Sequence, residues 1–382
     1  MASATESVVG EDEDLRFYEE SDDAGSDITM SSIATVQRQR NGSLSSETPS
    51  EVLPDKYGFL GGAQYTDPTL LRKVPLQVQW NRELKWRDML HNWERFMTKQ
   101  FKKVRERSRK GIPSSLRAPA WQHLCGAQFL MEKSRGKFME LDSLPGDPRW
   151  VDDIKKDLHR QFPHHEMFAK HEGHGQEDLF RILKAYSILN PAVGYCQAQA
   201  PLAAVLLMHM PAEQAFWCLV CICDRYLPGY YSPGLEAIQL DGEILFGLLK
   251  KVSPTAYRHL KKQRIEPIMY MTEWFMCAFS RTLPWSTVLR IWDIFLCEGV
   301  KVLFKVALVI LRSILGRSDI QKRCPTMFET LEVLRSIPHE LLHEDVIVTQ
   351  IVHLDITHHD MSKEHQRQIA KRRLAQLAKV KP

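Results

Sequence analysis

Apolar residues along most of the chain recur with the three-to-four-residue spacing of an amphipathic α-helix. From Trp80 onward, Leu84, Leu90, Trp93 and Phe96 recur in a segment without Gly or Pro, which predicts one amphipathic helix. Further helical patterns, punctuated by prolines, cover residues 177–189, 240–252, 270–283, 287–296 and 303–315. No strand-like alternation competes with them. The pattern therefore predicts an all-α, multi-helix fold.

The two ends of the chain depart from this pattern. Residues 1–50 are rich in Ser, Asp and Glu and have too few large apolar side chains to offset the entropy of ordering, so we expect a disordered acidic tail. Two arginines precede Ser43 in this tail, which is either a basophilic kinase site or a chance basic patch. Residues 362–381 predict a basic terminal helix.

The charge of the chain is unevenly distributed. The net charge is +4, but residues 1–50 hold 11 Asp/Glu against three Arg, which leaves +12 on the remainder. A moderately basic body suits an acidic protein surface, an anionic membrane face or nucleic acid, and the charge by itself does not choose among them. Among possible partners we expect peripheral contact with anionic membrane and no nucleic acid. Residues 99–110, with seven basic residues and one Glu, are either such a surface or a solvated helix face.

Cysteine usage indicates a cytoplasmic setting. All eight Cys lie at or after Cys125, several inside apolar runs, which is typical of reduced cysteines used as small hydrophobes. The first residues have no basic region followed by an apolar core, so we predict no secretory signal. The richest apolar stretch, 201–223, is broken by Pro211, Glu213 and Gln214, which favours a buried helix pair over a membrane span.

Several chemical motifs are absent or weak. The chain has no GxxxxGK[ST] and no GxGxxG, so the sequence gives no sign of a nucleotide site of its own. The segment HELLH at 339–343 matches HExxH, in which a helix presents two imidazoles to zinc while Glu340 activates water, but no third-ligand extension follows. The His-rich loop 164–175 is interpreted as solvated, and Cys218 with its neighbours as core.

Two segments hold candidate functional side chains. In IKKDLHR at 154–160, Asp157 precedes Arg160 by three residues and can brace its guanidinium, although an ordinary surface ion pair has the same pattern. In VGYCQ at 193–197, the turn leads into an apolar helix, so Gln197 lies near a helix start. A side-chain amide there can orient a water molecule or merely cap the helix.

Taken together, these segments resemble the TBC domain of Rab GTPase-activating proteins. Four blocks match in order: GIPSSLRAPAW at 111–121, IKKDLHR at 154–160, VGYCQ at 193–197 and RIWDIFLCEG at 290–299. Similarity at 54–62 and 228–243 points to the branch that includes the EPI-type proteins and Whacked. The resemblance implies a TBC core at 111–299, preceded by an N-terminal extension at 51–110 and followed by C-terminal helices at 300–382.

The resemblance also implies a mechanism that uses two fingers. Arg160 matches the arginine that neutralises charge on the transferring phosphoryl group, and Gln197 matches the glutamine that orients the attacking water. Asp157 and Tyr195 then support these two residues, while Arg117 and Trp121 support the fold. GTP and magnesium are carried by the partner, a GTP-loaded Rab-family GTPase, so the chain is expected to have no cofactor of its own.

One departure from the family pattern concerns the glutamine. The family commonly reads YxQGM, whereas here Gln197 is followed by Ala198 and Gln199; Tyr195 sets the register in favour of Gln197. The leading hypothesis is a catalytic GTPase activator in vesicle and endosomal membrane traffic. The alternatives are a non-catalytic TBC scaffold that binds a Rab or an adaptor and, third, a zinc metalloprotease at HELLH.

Overall fold

A computed structural model describes residues 53–61 and 74–380 of the chain. Throughout these residues the regular structure is helical, apart from one isolated antiparallel bridge between Phe59 and His165. The predicted all-α, multi-helix fold is therefore confirmed. The acidic tail and Ser43 lie outside the described residues.

The first half of the fold contains eleven α-helices. They are α1 (Leu76–His91), α2 (Trp93–Lys99), α3 (Phe101–Lys110), α4 (Ser114–Cys125), α5 (Ala127–Lys133), α6 (Lys137–Ser143), α7 (Pro148–Leu158), α8 (Glu166–Ala169), α9 (His174–Leu189), α10 (Gln199–Leu207) and α11 (Ala212–Cys221). A π-helical turn, Ile222–Tyr226, extends α11.

Nine further α-helices complete the described chain. They are α12 (Glu236–Val252), α13 (Pro254–Lys262), α14 (Ile268–Met276), α15 (Trp285–Glu298), α16 (Lys301–Leu315), α17 (Ser318–Arg323), α18 (Met327–Arg335), α19 (Glu344–Val352) and α20 (His358–Val380). A 3₁₀ turn at His339–Leu342 lies between α18 and α19. The predicted basic terminal helix is α20, which begins four residues before the expected start.

The single amphipathic helix predicted from Trp80 onward is wrong. The chain leaves helical geometry at Asn92 and again at Gln100, which gives three helices, α1 to α3. Each break resets the phase of the helix, so the side chains no longer form one stripe. Leu84 is 46% exposed, whereas Phe96 is only 5% exposed. Trp86, which is 1% exposed, faces the core of this region instead.

The helix predicted at 270–283 ends early, at Met276. Ala278 and Phe279 have φ values of 45° and 58°, in the left-handed region that an α-helix cannot continue through. Tertiary contacts hold this turn, because Trp292 Nε1 donates to the carbonyl of Ala278 at 3.0 Å and Phe279 is fully buried. The chain then re-enters a helix after Pro284.

The apolar stretch at 201–223 forms the predicted buried helix pair. Every residue of α10 is buried, and α10 packs against α9 and α11. Cys218, Cys221 and Cys223 lie in this core as free thiols, as the sequence predicted. None of the described helices combines the length and the apolar composition needed to cross a membrane.

Candidate functional site

Arg160 lies two residues beyond the end of α7. Asp147 caps the start of this helix by accepting a hydrogen bond from the Arg149 amide at 2.9 Å, and Pro148 occupies its first turn. Ile154 is fully buried and fixes the rotation of the helix against the core. The helix therefore delivers Arg160 to the surface, where its side chain is 44% exposed.

Asp157 links the two candidate motifs. It is only 6% exposed, and its Oδ1 forms an ion pair with Arg160 Nη2. Its Oδ2 accepts a hydrogen bond from the hydroxyl of Tyr195 at 2.7 Å. Burial, followed by the hydrogen bond to Asp157, raises the pKa of Tyr195 above its ordinary value, so the hydroxyl stays protonated and remains a donor. A buried carboxylate with a partner on each oxygen holds the guanidinium more firmly than an exposed ion pair does.

Gln197 lies beside Arg160. Its side chain is exposed on the loop that precedes α10, near a helix start as the sequence predicted. With its amide oxygen toward the guanidinium, Gln197 accepts from Arg160 Nη1 at 2.9 Å and also contacts Nη2. Two polar side chains from distant motifs thus meet at one exposed point.

The second glutamine, Gln199, is in a different environment. It is fully buried, and its Oε1 accepts from the backbone amide of Cys196 at 3.0 Å. Its Nε2 is buried without a hydrogen-bond partner in the described part of the chain. Gln199 therefore fastens the loop from inside, while Gln197 projects from it. This role of Gln199 was missed in the sequence, where only its position after Ala198 was noted.

Gly194 lets the loop turn against Trp150. Its φ is +65°, and a Cβ at this position would lie 2.3 Å from Trp150 Cε2. Only glycine fits such a position without displacing the indole. This close approach brings the loop against α7, next to Asp157 and Arg160.

We expect Gly194→Ala to lower the free energy of unfolding by about 2–4 kcal/mol, because the left-handed strain adds to the displacement of Trp150. Urea unfolding measures the loss. The matched control is Gly136→Ala, since Gly136 has a φ of +76° but nothing within 4 Å of a new Cβ, so it should lose only about 1–2 kcal/mol. Equal losses in the two variants would contradict the proposed clash.

A cleft of about 910 Å³ opens from the Gln197 loop. Its near wall is formed by Cys196, Gln197 and Ala198, and its far walls by α14, the turn after it, α18 and the 3₁₀ turn. Both apolar and charged side chains line the cleft. Arg281 and Glu273, which both line it, form an ion pair at 3.3 Å, and Met269 is 44% exposed. Gln197 is therefore part of the wall of this cleft.

Arg117 and Trp121, the other two residues singled out in the sequence, lie in the core. Both bind Asp293, which is fully buried in α15: Arg117 Nε donates to Oδ1 at 3.1 Å and Trp121 Nε1 donates to Oδ1 at 2.8 Å. The amide of Ile112 donates to Oδ2 at 2.8 Å. Sequence reasoning missed Asp293, although a lone carboxylate inside the apolar run 287–296 signals a buried partner.

The HELLH segment does not have the geometry of a zinc helix. Residues His339–Leu342 form a 3₁₀ turn, and His343 lies beyond it in an extended conformation with ψ of 142°. The two imidazoles therefore do not share an α-helical face, and the metalloprotease hypothesis is wrong. Among the described residues, no group of three or more His, Cys, Asp or Glu could hold a metal ion.

The His-rich loop is only partly solvated. His171 and His174 are exposed, as predicted, but His165 is 5% exposed. Its Nδ1 accepts from the amide of Met167 at 3.2 Å, so Nε2 carries the proton and donates to the carbonyl of Tyr57 at 2.9 Å. Burial lowers the pKa of His165, which keeps the imidazole neutral in this structural role.

Comparison with known proteins identifies the family. The profile of the Rab-GTPase-TBC domain matches residues 114–317. TBC1 domain family member 10B from Homo sapiens is 60% identical over 83% of this chain, which spans only 39% of that relative. TBC1 domain family member whacked from Drosophila melanogaster is 52% identical, over 84% of this chain and 88% of the relative.

A solved structure agrees with the sequence relatives. The flagellar RabGAP TBC domain of Chlamydomonas superimposes with a TM-score of 0.60 and 26% identity, covering 78% of this chain and 99% of that one. With the profile match and the similarity to whacked, these findings show that the chain belongs to the Rab-GTPase-TBC domain family, in the Whacked-like branch.

Proposed function

We propose that this chain is a GTPase-activating protein for a Rab-family small GTPase, and that it supplies Arg160 and Gln197 in trans. The observation that carries the proposal is the juxtaposition of these two exposed side chains, one from each motif, above the buried Asp157–Tyr195 pair. GTP and magnesium belong to the partner GTPase, and they are its substrate and metal rather than cofactors of this chain.

The chemistry of GTP hydrolysis requires both side chains. Negative charge develops on the transferring phosphoryl and leaving oxygens, and an arginine inserted into the site stabilises it. The attacking water must be aligned with the phosphorus, and a primary amide does this by accepting one hydrogen bond from the water while donating another nearby. Arg160 suits the first task and Gln197 the second, since they are adjacent and exposed.

The surroundings of Arg160 support preorganisation. Asp157 binds the guanidinium and is itself held by the hydroxyl of Tyr195, so less side-chain entropy is lost when the finger enters the partner. In the chain alone, Gln197 pairs with Arg160. We propose that binding of the partner breaks this contact. Arg160 then donates hydrogen bonds to the phosphate oxygens, and Gln197 forms a hydrogen bond with the attacking water.

The cleft beside Gln197 fits the body of the GTPase. A protein that brings its nucleotide to Gln197 also covers the cleft walls that contain Met269 and the Glu273–Arg281 pair. Its lining, which combines apolar and charged side chains, is typical of a transient protein interface. We further propose that the chain acts from the cytoplasm on vesicle and endosomal traffic, in peripheral contact with anionic membrane.

The test is single-turnover GTP hydrolysis across a panel of Rab GTPases, with wild type and Gln197→Ala. At least one GTPase should be accelerated, and Gln197→Ala should slow that reaction by about 10²-fold. The matched control is Gln239→Ala, which removes another exposed glutamine, on α12. If no Rab responds, the non-catalytic scaffold replaces this proposal.

Gln199→Met should lower the rate at saturating activator by about tenfold, because the amide of Cys196 loses its acceptor and the Gln197 loop is less well held. Methionine is of similar volume and stands at this position in the common YxQGM pattern. The effect should disappear in a Gln197→Ala background, since only the placement of that amide is affected. A tenfold loss that persists in this background would instead indicate a general structural defect.

A further inference from the structure

Helix α20 is fastened to α12 along one face. Arg372 binds both carboxylate oxygens of Glu243, each at 3.2 Å, and Lys251 binds Asp360 at 2.9 Å. Gln368 is 6% exposed between these two contacts. These two ion pairs, one near the start of α20 at Asp360 and one further along it at Arg372, fix the rotation of the helix about its axis, so its opposite face points away from α12.

That opposite face combines leucines with cations. Helical spacing places five residues together on this side, and we call them the outward face of α20: Lys363, Arg367, Ala370, Leu374 and Leu377. Leu374 is 68% exposed and Leu377 is 64% exposed. All residues from 373 to 378 are exposed as well, so no other part of the described chain covers this end of the helix.

The charge of α20 is strongly positive and poorly neutralised. The helix contains six Lys or Arg and two Asp or Glu, a net charge of +4. Both acids are occupied, Asp360 by Lys251 and Glu364 by Arg367. In contrast, Lys363, Lys371 and Arg373 are exposed and form no ion pair within the described residues. They flank the two leucines on both sides.

We propose that the outward face of α20 lies on an anionic lipid surface, with Leu374 and Leu377 at the boundary of the acyl chains and the surrounding Lys and Arg among the headgroups. Charge complementarity selects this occupant, because clustered Lys and Arg with a few large apolar residues on one helix face bind anionic bilayers. The inference rests on the peripheral membrane contact in the proposed function, and it identifies the surface of this chain that makes the contact.

Exposed apolar residues alone do not distinguish this face. Leu76, Trp80 and Leu84 form an exposed stripe on α1, at 83%, 53% and 46% exposure. That helix contains only three Lys or Arg and two Asp or Glu, a net charge of +1. The α1 stripe therefore lacks the surplus of cations that attracts anionic lipid and serves as a natural comparison.

The test is co-sedimentation of the full chain with vesicles of phosphatidylcholine alone and of phosphatidylcholine mixed with phosphatidylserine. We expect binding to the mixed vesicles only, weakened by added salt. Two variants should each weaken binding by about tenfold or more. The first replaces the leucines (Leu374→Ser with Leu377→Ser), and the second replaces three cations (Lys363→Gln with Lys371→Gln and Arg373→Gln).

Matched controls isolate the surface. Leu76→Ser with Leu84→Ser removes two exposed leucines from α1, and Lys133→Gln with Arg135→Gln and Lys322→Gln removes the same charge from elsewhere. Both sets should bind like wild type. Absence of wild-type binding to the mixed vesicles, or equal losses in test and control sets, would overturn the proposal.

GTP hydrolysis in solution, without vesicles, separates this inference from the proposed function. The α20 variants should activate a soluble GTPase like wild type and keep the wild-type melting temperature. If the wild-type chain activates a GTPase normally but binds no vesicles, only the proposal that α20 binds membrane is wrong. Vesicle binding that requires α20 but no activation of any Rab overturns the catalytic proposal alone. If the leucine pair instead mediates self-association of the chain, with no vesicle binding, the membrane assignment is wrong.

Discussion

Replacing Arg160 by alanine is expected to slow single-turnover GTP hydrolysis by the activated GTPase by about 10³-fold or more. The guanidinium is exposed but held by buried Asp157, so it meets the developing charge already oriented. Because that charge exists only in the transition state, the rate at saturating activator should fall much more than the affinity for the GTPase.

A second arginine in a similar environment tests whether the hydrolysis rate depends on the position of Arg160 or only on the loss of a surface charge. Arg317 is 41% exposed and pairs with Asp319, much as Arg160 is 44% exposed and pairs with Asp157. Arg317→Ala should leave the hydrolysis rate unchanged. Arg160→Lys keeps the charge but loses the planar fork that binds two oxygens, so it should recover only part of the activity. Full activity in Arg160→Ala would refute the arginine finger.

Replacing Asp293 by alanine is expected to lower the free energy of unfolding by about 3–5 kcal/mol. Asp293 is fully buried and accepts hydrogen bonds from Ile112, Trp121 and Arg117. Its removal leaves the guanidinium of Arg117, which is 7% exposed, without its carboxylate in the core. A loss of this size is a large part of the total stability of a typical domain, about 5–15 kcal/mol.

Urea unfolding measures this loss. The control is Asp319→Ala, because Asp319 pairs with Arg317 at the surface with 57% of its side chain exposed, and such pairs contribute under about 1 kcal/mol. Asp293→Asn keeps the volume and removes only the charge, so it gives an intermediate loss if alanine prevents folding. If Asp293→Asn is as stable as wild type, the buried ion pair is not the anchor we describe.

Local patterns predicted the helices well where burial is periodic. The buried pair α10 and α11 follows from the apolar run at 201–223, which Pro211 divides. The pattern failed to predict the end of a helix where tertiary contacts determine the backbone conformation. The left-handed turn at Ala278 depends on a hydrogen bond from Trp292, a residue 14 positions away that no local window includes.

The two glutamines after Tyr195 illustrate the same limit. In the sequence they are near neighbours of one residue type, and only the register of a family motif favoured Gln197. In the fold, Gln199 is fully buried on the Cys196 amide, while Gln197 is exposed beside Arg160. Which side of a loop a side chain occupies depends on packing against α7, and the close approach of Gly194 to Trp150 sets that packing.

The sequence by itself determined the all-α class and the order of the four motifs, since periodicity and motif spacing are local properties of the chain. The proposal of Arg160 and Gln197 as the two fingers came from the family resemblance of those motifs. Only the tertiary structure decided that these two side chains meet, 37 positions apart. Asp157 at the end of α7 binds both Arg160 and Tyr195, and this contact between distant segments exists only after the core has folded. A buried carboxylate must find its partners in three dimensions, and it thereby brings the two motifs together.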